Sequence, residues 1–253
     1  MKTLNYGGKD LYIGSIAETN EMIESHMLAH FTMSETETST DEWFQRFNSQ
    51  VKEMSNFVEL SKDKKTFIDI GSQFGSFSLS FIGDSTDKTA YAFDGGLNPF
   101  LTTTQVKLLN KLDNFHTFNF LIGNKNETVK CFSEELQSLA IPGPDSRLML
   151  SIDMVSQLFD IKPDVIKIDI EGSEHDALLG AFNTIMEYRP MIFIEVHPTF
   201  LHHYKSSIDD IVNFAKHINY KVLDLNQQEV DNYLEILTKE TSDSNRTIWV
   251  PNN

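Results

Sequence analysis

One short segment constrains the fold of this chain more than any other: the apolar run at residues 165–170, which ends in acidic residues. Residues 165–175 read Val-Ile-Lys-Ile-Asp-Ile-Glu-Gly-Ser-Glu-His. Continuous apolar strands are typical of parallel sheets covered on both faces, and open α/β sheets bind ligands beyond the carboxyl ends of their strands. We therefore expect Asp169 and Glu171 at a ligand-binding edge, and Glu174 and His175 as caps of the helix that follows.

Strand and helix patterns alternate along most of the chain, which predicts an α/β fold. Between the strand-like segments, apolar residues recur every three to four positions, as in helices that cover a sheet. The last two strands have no long helical pattern between them and are expected to pair antiparallel at one edge. Before Ser146, a less regular segment predicts a hairpin insertion, and Asp153 is expected to cap its own helix. The predicted strands are 66–70, 89–93, 115–122, 165–170, 191–196, 220–225 and 246–250, and the predicted helices are 39–58, 77–82, 99–112, 151–158, 174–187 and 208–218.

Length and composition indicate one domain with an N-terminal extension. The 253 residues carry 37 acidic and 21 basic side chains, a formal charge of −16, so we expect neither nucleic acid nor a membrane surface as a partner. A lone cysteine, Cys131, excludes an internal disulfide, and with no apolar leader in the sequence we expect a cytoplasmic protein. Residues 1–60 are expected to form a segment with one amphipathic helix, a candidate lid, and residues 61–253 the main domain.

A glycine turn follows the first of the predicted parallel strands. The stretch Asp69-Ile-Gly-Ser-Gln-Phe-Gly75 lacks the middle glycine of the dinucleotide pattern Gly-x-Gly-x-x-Gly, so a pyrophosphate is not the expected ligand. The next strand ends at Asp94, in the position where an acid accepts hydrogen bonds from ribose hydroxyls. The sequence therefore indicates a nucleoside site without a pyrophosphate clamp, although a tight structural turn is an equally good interpretation of the two glycines alone.

Several segments, taken in order, resemble the FkbM family of S-adenosylmethionine-dependent methyltransferases. The most specific is Ile166-Lys-Ile-Asp-Ile-Glu-Gly-Ser-Glu174; Phe67 to Ser78 is similar to the family's cofactor loop, and Arg189 to His197 and Thr247 to Pro251 complete the resemblance. It implies a Rossmann-like class I methyltransferase fold, with a mostly parallel seven-stranded sheet, helices on both faces and an antiparallel edge strand. Ser72-Gln73 and Asp94-Gly95-Gly96 depart from the family pattern, and Asp94 is a shorter side chain than the glutamate expected there.

S-adenosylmethionine is the cofactor that this resemblance implies. Strand-end positions and the resemblance together predict a cofactor-binding set that begins at the glycine turn. Asn119 is included because it follows the third strand, where it reaches the adenine or caps a turn, and Asp169 because strand ends of this fold line the cofactor pocket. The predicted set is Asp69, Gly71, Ser72, Gln73, Gly75, Phe77, Asp94, Gly95, Asn119 and Asp169.

Three residues at the ends of the fourth and fifth strands are predicted to act on the methyl acceptor: Glu171, Glu195 and His197. Histidine titrates closest to neutrality, so His197 is the first choice as general base, with Glu171 orienting it or holding the acceptor. The alternative is a histidine that is simply satisfied by a nearby carboxylate. We favour a metal-independent site, although such a cluster has ligands that suit Mg²⁺ or Ca²⁺.

The predicted reaction is O-methylation of a hydroxyl on a small molecule or sugar. N-methylation of an amide or amine, on a peptide or a small molecule, is the nearest alternative. A nucleoside-binding module without turnover is a second alternative, and the missing glycine disfavours a nicotinamide-dependent dehydrogenase. The sequence does not indicate the oligomeric state.

Overall fold

The computed structural model describes residues 3–6, 9–12, 42–133, 138–139, 141, 143–238 and 245–252. Within this part of the chain none of the helices has the length and apolar composition needed to cross a membrane. The strands are β1 (Thr3–Tyr6), β2 (Lys9–Tyr12), β3 (Thr66–Ile70), β4 (Thr89–Phe93), β5 (Phe115–Phe118), β6 (Leu121–Ile122), β7 (Glu127–Ser133), β8 (Ser138–Leu139), β9 (Asp145–Leu150), β10 (Val165–Ile168), β11 (Met191–Glu195), β12 (Tyr220–Leu223) and β13 (Arg246–Pro251). The α-helices are α1 (Glu42–Leu60), α2 (Ser76–Ile82), α3 (Leu97–Asn110), α4 (Ile152–Phe159), α5 (Glu174–Gly180), α6 (Phe182–Tyr188), α7 (Ile208–His217) and α8 (Tyr233–Thr238).

A seven-stranded sheet in the order β12-β13-β11-β10-β3-β4-β5 forms the centre of the molecule. Its neighbouring strands from β11 through to β5 are parallel, whereas β13 runs antiparallel to both β11 and β12. The predicted antiparallel pair at one edge is therefore confirmed, and the reversed strand lies one position inside the edge. This arrangement confirms the mostly parallel sheet that the sequence predicted.

Side chains of the central strands alternate between two hydrophobic layers. Ile68, Ile166 and Ile194 belong to the layer under α4 to α8. Phe67 and Phe193 belong to the opposite layer, which contains residues of α1, α2 and α3. The sheet is thus covered on both faces, as predicted. Because side chains alternate, the polar residues of these strands also fall on one defined face.

Helix α1 contributes to this second layer through Phe57, which is fully buried. Its ring lies 4.8 Å from that of Phe67 and 5.3 Å from that of Phe193, measured between centroids. The carboxyl-terminal half of the predicted N-terminal segment therefore packs against the sheet itself. The expected boundary at residue 60 stays a prediction, and the expected capping residue Ser39 and the stretch 13–41 lie outside the described residues.

Two predicted elements are each divided in the structure. The strand expected at 115–122 ends at Phe118. Residues 121–122 pair instead with β9, in a second sheet of four strands in the order β6-β9-β7-β8. The helix expected at 174–187 breaks at Ala181, because Asp153 accepts hydrogen bonds from the backbone amides of Asn183 and Thr184 and so caps α6. The prediction that Asp153 caps its own helix is wrong. That cap is the hydroxyl of Ser151, which accepts from the amide of Met154.

The predicted hairpin insertion is present. Strands β7 and β9 pair antiparallel, and the short strand β8 pairs with β7. Cys131 is buried within this unit, beside Leu121 and Met149.

Candidate active site

The glycine turn after β3 is fixed by the backbone of two neighbouring strands. The amides of Gly71 and Ser72 both donate to the carbonyl of Phe93, at 2.9 and 3.1 Å. Gly71 has a φ of 79°, and a Cβ atom placed there would lie 1.9 Å from the carbonyl oxygen of Asp169. Only glycine fits this position. The absence of a side chain at residue 71 lets the turn contact the end of β10 directly.

Asp94 lies where a ribose acid is expected, and backbone donors hold its carboxylate. Oδ2 accepts from the amide of Gln73 at 2.8 Å, and Oδ1 accepts from the amide of Gly96 at 2.7 Å. The Asn119 amide donates to the carbonyls of Asp94 and Gly96, so it fixes the same loop. Burial raises the pKa of Asp94 to about 7. Since each carboxylate oxygen has two acceptor sites, both oxygens retain capacity for a ligand hydroxyl.

Other members of the predicted cofactor set lie in or beneath the turn. Asp69 is buried and its Oδ2 accepts from the hydroxyl of Ser78 at 2.7 Å, while burial raises its pKa to about 6. The ring of Phe77 lies 4.6 Å from the Nζ atom of Lys167. Gly75 precedes α2 and Gly95 follows Asp94. Asp69 and Phe77 therefore support the turn from the core side, and a direct cofactor contact by either remains a prediction.

His197, two residues beyond β11, is held by a carboxylate that the sequence interpretation assigned only to helix capping. Its Nδ1 lies 2.7 Å from Oε1 of Glu174, a side chain with no exposed surface. The same oxygen accepts from the amide of Gly172 at 2.8 Å. Because a carboxylate accepts hydrogen bonds, we assign a proton to Nδ1, which directs Nε2 to the opposite side of the ring.

Three further carboxylates surround Nε2 of His197. The distances from Nε2 are 3.9 Å to Asp169 Oδ1, 3.7 Å to Glu171 Oε2 and 3.9 Å to Glu195 Oε1. The structure thus brings together the predicted residues Asp169, Glu171, Glu195 and His197. Burial opposes a charged imidazole, but the hydrogen bond that His197 donates to Glu174 and the charges of the carboxylates outweigh it and raise the pKa of His197 to about 10.

Buried ion pairs on the α1 side of the sheet support this cluster. Lys167 Nζ donates to Asp169 Oδ2 at 2.8 Å and lies 3.8 Å from Oε1 of Glu53, a buried residue of α1. Arg246, from the antiparallel strand β13, lies 2.6 Å from Glu195 and 3.3 Å from Glu53. Sequence reasoning missed all three of these supporting residues: Glu53, Lys167 and Arg246.

Burial and neighbouring charges shift the ionisation of this network in a consistent way. Burial and the charge of Asp169 raise the pKa of Glu195 to about 8. Burial opposes the charge of Lys167, but Asp169 and Glu53 outweigh it and raise its pKa above the usual value. Glu195 therefore retains a proton that an isolated carboxylate would release, whereas Lys167 and His197 outweigh the effect of burial on Asp169 and hold its pKa below the usual value.

The loop that carries Glu171 has an unusual backbone. Glu171 has a φ of 53° and Gly172 a φ of 104°. A Cβ atom at Gly172 would lie 2.5 Å from the Cβ of Phe200, so this loop packs directly on the turn after His197. Strain of this kind costs free energy and persists where the surrounding structure enforces it, which is common at functional sites.

Two groups of predicted residues therefore share the edge formed by the carboxyl ends of the parallel strands. The first group surrounds the glycine turn and Asp94, and the second surrounds Nε2 of His197. Asp169 belongs to both, because its backbone contacts Gly71 and its side chain faces His197. This edge is where open α/β sheets bind their ligands.

Comparison with protein families gives a match to the part of the chain that carries the second group. Residues 148–222 match the family described as the methyltransferase FkbM domain, which confirms the resemblance drawn from the sequence. The matched segment includes Asp169, Glu171, Glu174, Glu195 and His197, and excludes the glycine turn and Asp94. A comparison with curated proteins gives no significant match.

Comparison with solved structures gives methyltransferases of low sequence identity. The methyltransferase FkbM from Methylobacillus flagellatus KT is 17% identical, with a TM-score of 0.49, and the match covers 91% of this chain and 60% of that chain. A putative O-methyltransferase from Klebsiella pneumoniae is 10% identical, with a TM-score of 0.44 and coverage of 95% and 91%. M. jannaschii TYW2 in complex with AdoMet is 13% identical, with a TM-score of 0.40 and coverage of 85% and 76%. The fold assignment rests on the strand order and directions described above.

Proposed function

We propose that this chain, with its methyltransferase FkbM domain segment, transfers a methyl group from S-adenosylmethionine to a hydroxyl oxygen of a small molecule or sugar. One observation carries the proposal: the glycine turn with Asp94 and the cluster around His197 lie at the same sheet edge, in contact through Gly71 and Asp169. A cofactor on the turn and an acceptor beside His197 would therefore be neighbours.

The residues of the turn suit the nucleoside half of the cofactor. Asp94 presents a carboxylate held by two backbone amides, with acceptor capacity left for ribose hydroxyls. Gln73 and Asn119 hold that carboxylate and its loop in place. When bound, S-adenosylmethionine supplies a methyl group on a positively charged sulfur, and methyl loss leaves a neutral thioether.

The cluster around His197 suits an acceptor that must lose a proton. With Nδ1 directed to Glu174, a neutral His197 has its lone pair on Nε2, among the carboxylates of Asp169, Glu171 and Glu195. A hydroxyl held there by Glu171 or Glu195 would transfer its proton to Nε2 as its oxygen bonds to the methyl carbon. Since the pKa of His197 is raised to about 10, this role requires that positive charge entering the cluster first displaces the imidazolium proton.

The same excess of carboxylates supports N-methylation as the second candidate. A protonated amine would be attracted to Glu171 and Glu195 and would then need to lose a proton before attack. The two reactions use the same residues and differ in the acceptor atom. A panel of hydroxyl and amine acceptors, assayed with methyl-labelled S-adenosylmethionine, distinguishes them by the atom that carries the label.

Calorimetric titration with S-adenosylhomocysteine tests the binding half of the proposal. We expect one ligand per chain, weaker binding by Asp94→Ala, and parent-like binding by Asp87→Ala, which changes an exposed carboxylate. Unchanged affinity of Asp94→Ala for S-adenosylhomocysteine would mean that the cofactor binds at another site. Binding without methyl transfer to any acceptor in the panel would favour the alternative of a nucleoside-binding module without turnover.

A further inference from the structure

We propose that Asp169, Glu195 and His197 form a binding site for one divalent cation, and that this cation binds the methyl acceptor. The inference rests on the proposed function, because it assigns the ion a role at the same acceptor site. It changes one role there: Nε2 of His197 becomes a metal ligand, and the ion takes over the activation of the acceptor hydroxyl.

The geometry of three potential ligand atoms carries the proposal. One oxygen of Asp169, one oxygen of Glu195 and Nε2 of His197 lie within 4.8 Å of one another. Two of these separations, from Nε2 to each carboxylate oxygen, are 3.9 Å. Three ligand atoms spaced evenly at about 2.1 Å around one ion lie about 3.6 Å apart, so inward shifts of a few tenths of an ångström complete the site.

An independent observation is the partner on the far side of the imidazole. Metal-binding histidines usually direct their second ring nitrogen to a carboxylate or carbonyl, which fixes the tautomer and orients the ring. Glu174 has this relation to His197, at 2.7 Å from Nδ1, and it has no exposed surface. A surface histidine with an incidental ion pair would not require a carboxylate buried to this extent.

The charges around the site also favour a cation. Five carboxylates, those of Glu53, Asp169, Glu171, Glu174 and Glu195, lie in the network, against three basic groups, those of Lys167, Arg246 and His197. Lys167 pairs with Oδ2 of Asp169, whereas Oδ1 is the oxygen that faces His197. The oxygen of Glu195 that faces His197 is Oε1, which also pairs with Arg246 at 2.6 Å, so a divalent ion would share this oxygen with the guanidinium group.

The ligand set indicates which ions the site prefers. One imidazole nitrogen with two carboxylate oxygens is a mixed set that suits Mn²⁺ and related transition ions better than Ca²⁺, which prefers oxygen ligands only. An ion bound there would polarise a hydroxyl ligand and ease the loss of its proton, with Glu171 within reach to accept it. The acceptor class that follows is a small molecule whose hydroxyl, alone or with a neighbouring oxygen, can bind a metal.

Titration of Mn²⁺ into the chelator-treated full-length chain, followed by electron paramagnetic resonance, tests the proposal. We expect one Mn²⁺ per chain, and binding weakened about tenfold or more by His197→Asn, Glu195→Gln and Glu174→Gln. His197→Asn is the most informative variant, because its amide keeps a donor toward Glu174 and has no atom at the position of Nε2. Glu229→Gln, which alters an exposed carboxylate paired with Lys221, is the matched control and should bind as the parent does.

A measurement on the parent protein covers the case in which variants do not fold. Bound Mn²⁺ should selectively broaden the nuclear magnetic resonance signals of the His197 ring, and signals of His116, which stacks on Tyr91 in another part of the sheet, should be broadened less. Absence of Mn²⁺ binding, unchanged affinity in His197→Asn, or an unaffected His197 ring would each overturn the metal site. Titration with S-adenosylhomocysteine in the presence of chelator separates this failure from a failure of the proposed function.

Discussion

Nδ1 of His197 lies 2.7 Å from Oε1 of Glu174, and Glu174 has no exposed surface. These residues come from different strand ends, since Glu174 begins α5 after β10 and His197 follows β11. The parallel register of β10 and β11 places Ile168 beside Ile194 and so brings the two strand ends together. A buried carboxylate behind the imidazole gives the ring one orientation, with Nε2 directed to the carboxylates of Asp169, Glu171 and Glu195.

We expect Glu174→Gln to reduce turnover by about 10- to 100-fold, because its amide is a weaker partner for the Nδ1 proton and no longer fixes the ring orientation. The affinity for S-adenosylhomocysteine should stay within a few-fold of the parent value, since Glu174 lies in the cluster around His197 and not at the glycine turn. Steady-state kinetics and calorimetry measure the two effects separately. An altered nitrogen chemical shift at His197 Nδ1 should accompany the loss. A parent-like shift together with slow turnover would indicate that Glu174 acts through the fold instead.

Much of the fold could be predicted because its signals are local. The strands 66–70 and 89–93 have the predicted bounds, and the antiparallel pairing of the last two strands also agrees with prediction. Asp169, Glu171 and Glu195 could be predicted because each lies at or just after the end of an apolar strand. The supporting ion pairs could not, since Glu53 and Lys167 are 114 positions apart and a buried lysine in an apolar strand has no local signature of its partner. The same reason explains the capping of α6 by Asp153, which lies 30 positions before Asn183.

Gly71→Ala should destabilise the protein and weaken cofactor binding together. The added Cβ would lie 1.9 Å from the carbonyl oxygen of Asp169, and the φ of 79° is unfavourable for alanine. Relief of this clash requires β3 and β10 to separate at the point where the glycine turn meets the cluster around His197. Thermal unfolding should show a lower midpoint than that of the parent, whereas Ser72→Ala in the same turn adds no atom and should change the midpoint little. Parent-like stability of Gly71→Ala would contradict the close approach described here.

Affinity for S-adenosylhomocysteine should rise with pH through about 7. Burial raises the pKa of Asp94 to about 7 in the free protein. The ionised carboxylate is the form in which both oxygens are free to accept hydrogen bonds from ribose hydroxyls. Protonation below this pH therefore competes with the ligand, and affinity should fall by up to about tenfold per pH unit until another group limits it. Calorimetry from weakly acidic to weakly alkaline pH measures the slope. Asp94→Asn cannot ionise, so its affinity should lose this dependence; a slope equal to that of the parent would assign it to another group.

Glu53 connects α1 to the sheet through two buried cations, and its loss should be among the most destabilising changes at a polar residue. Glu53→Gln keeps the shape of the side chain but leaves Lys167 and Arg246 with one carboxylate fewer. Removing one partner from a buried ion pair typically costs about 3–5 kcal/mol, because the remaining charge is desolvated and uncompensated. Urea unfolding should therefore show a large fall in the free energy of unfolding, and the same substitution should weaken turnover through displacement of Asp169 and Glu195.

The exposed pair of Lys65 and Asp87 provides the comparison, since solvent screens such pairs, and Asp87→Asn should leave the unfolding midpoint nearly unchanged. Equal effects of the two substitutions would mean that Glu53 is hydrated in solution and that α1 does not seal this side of the site.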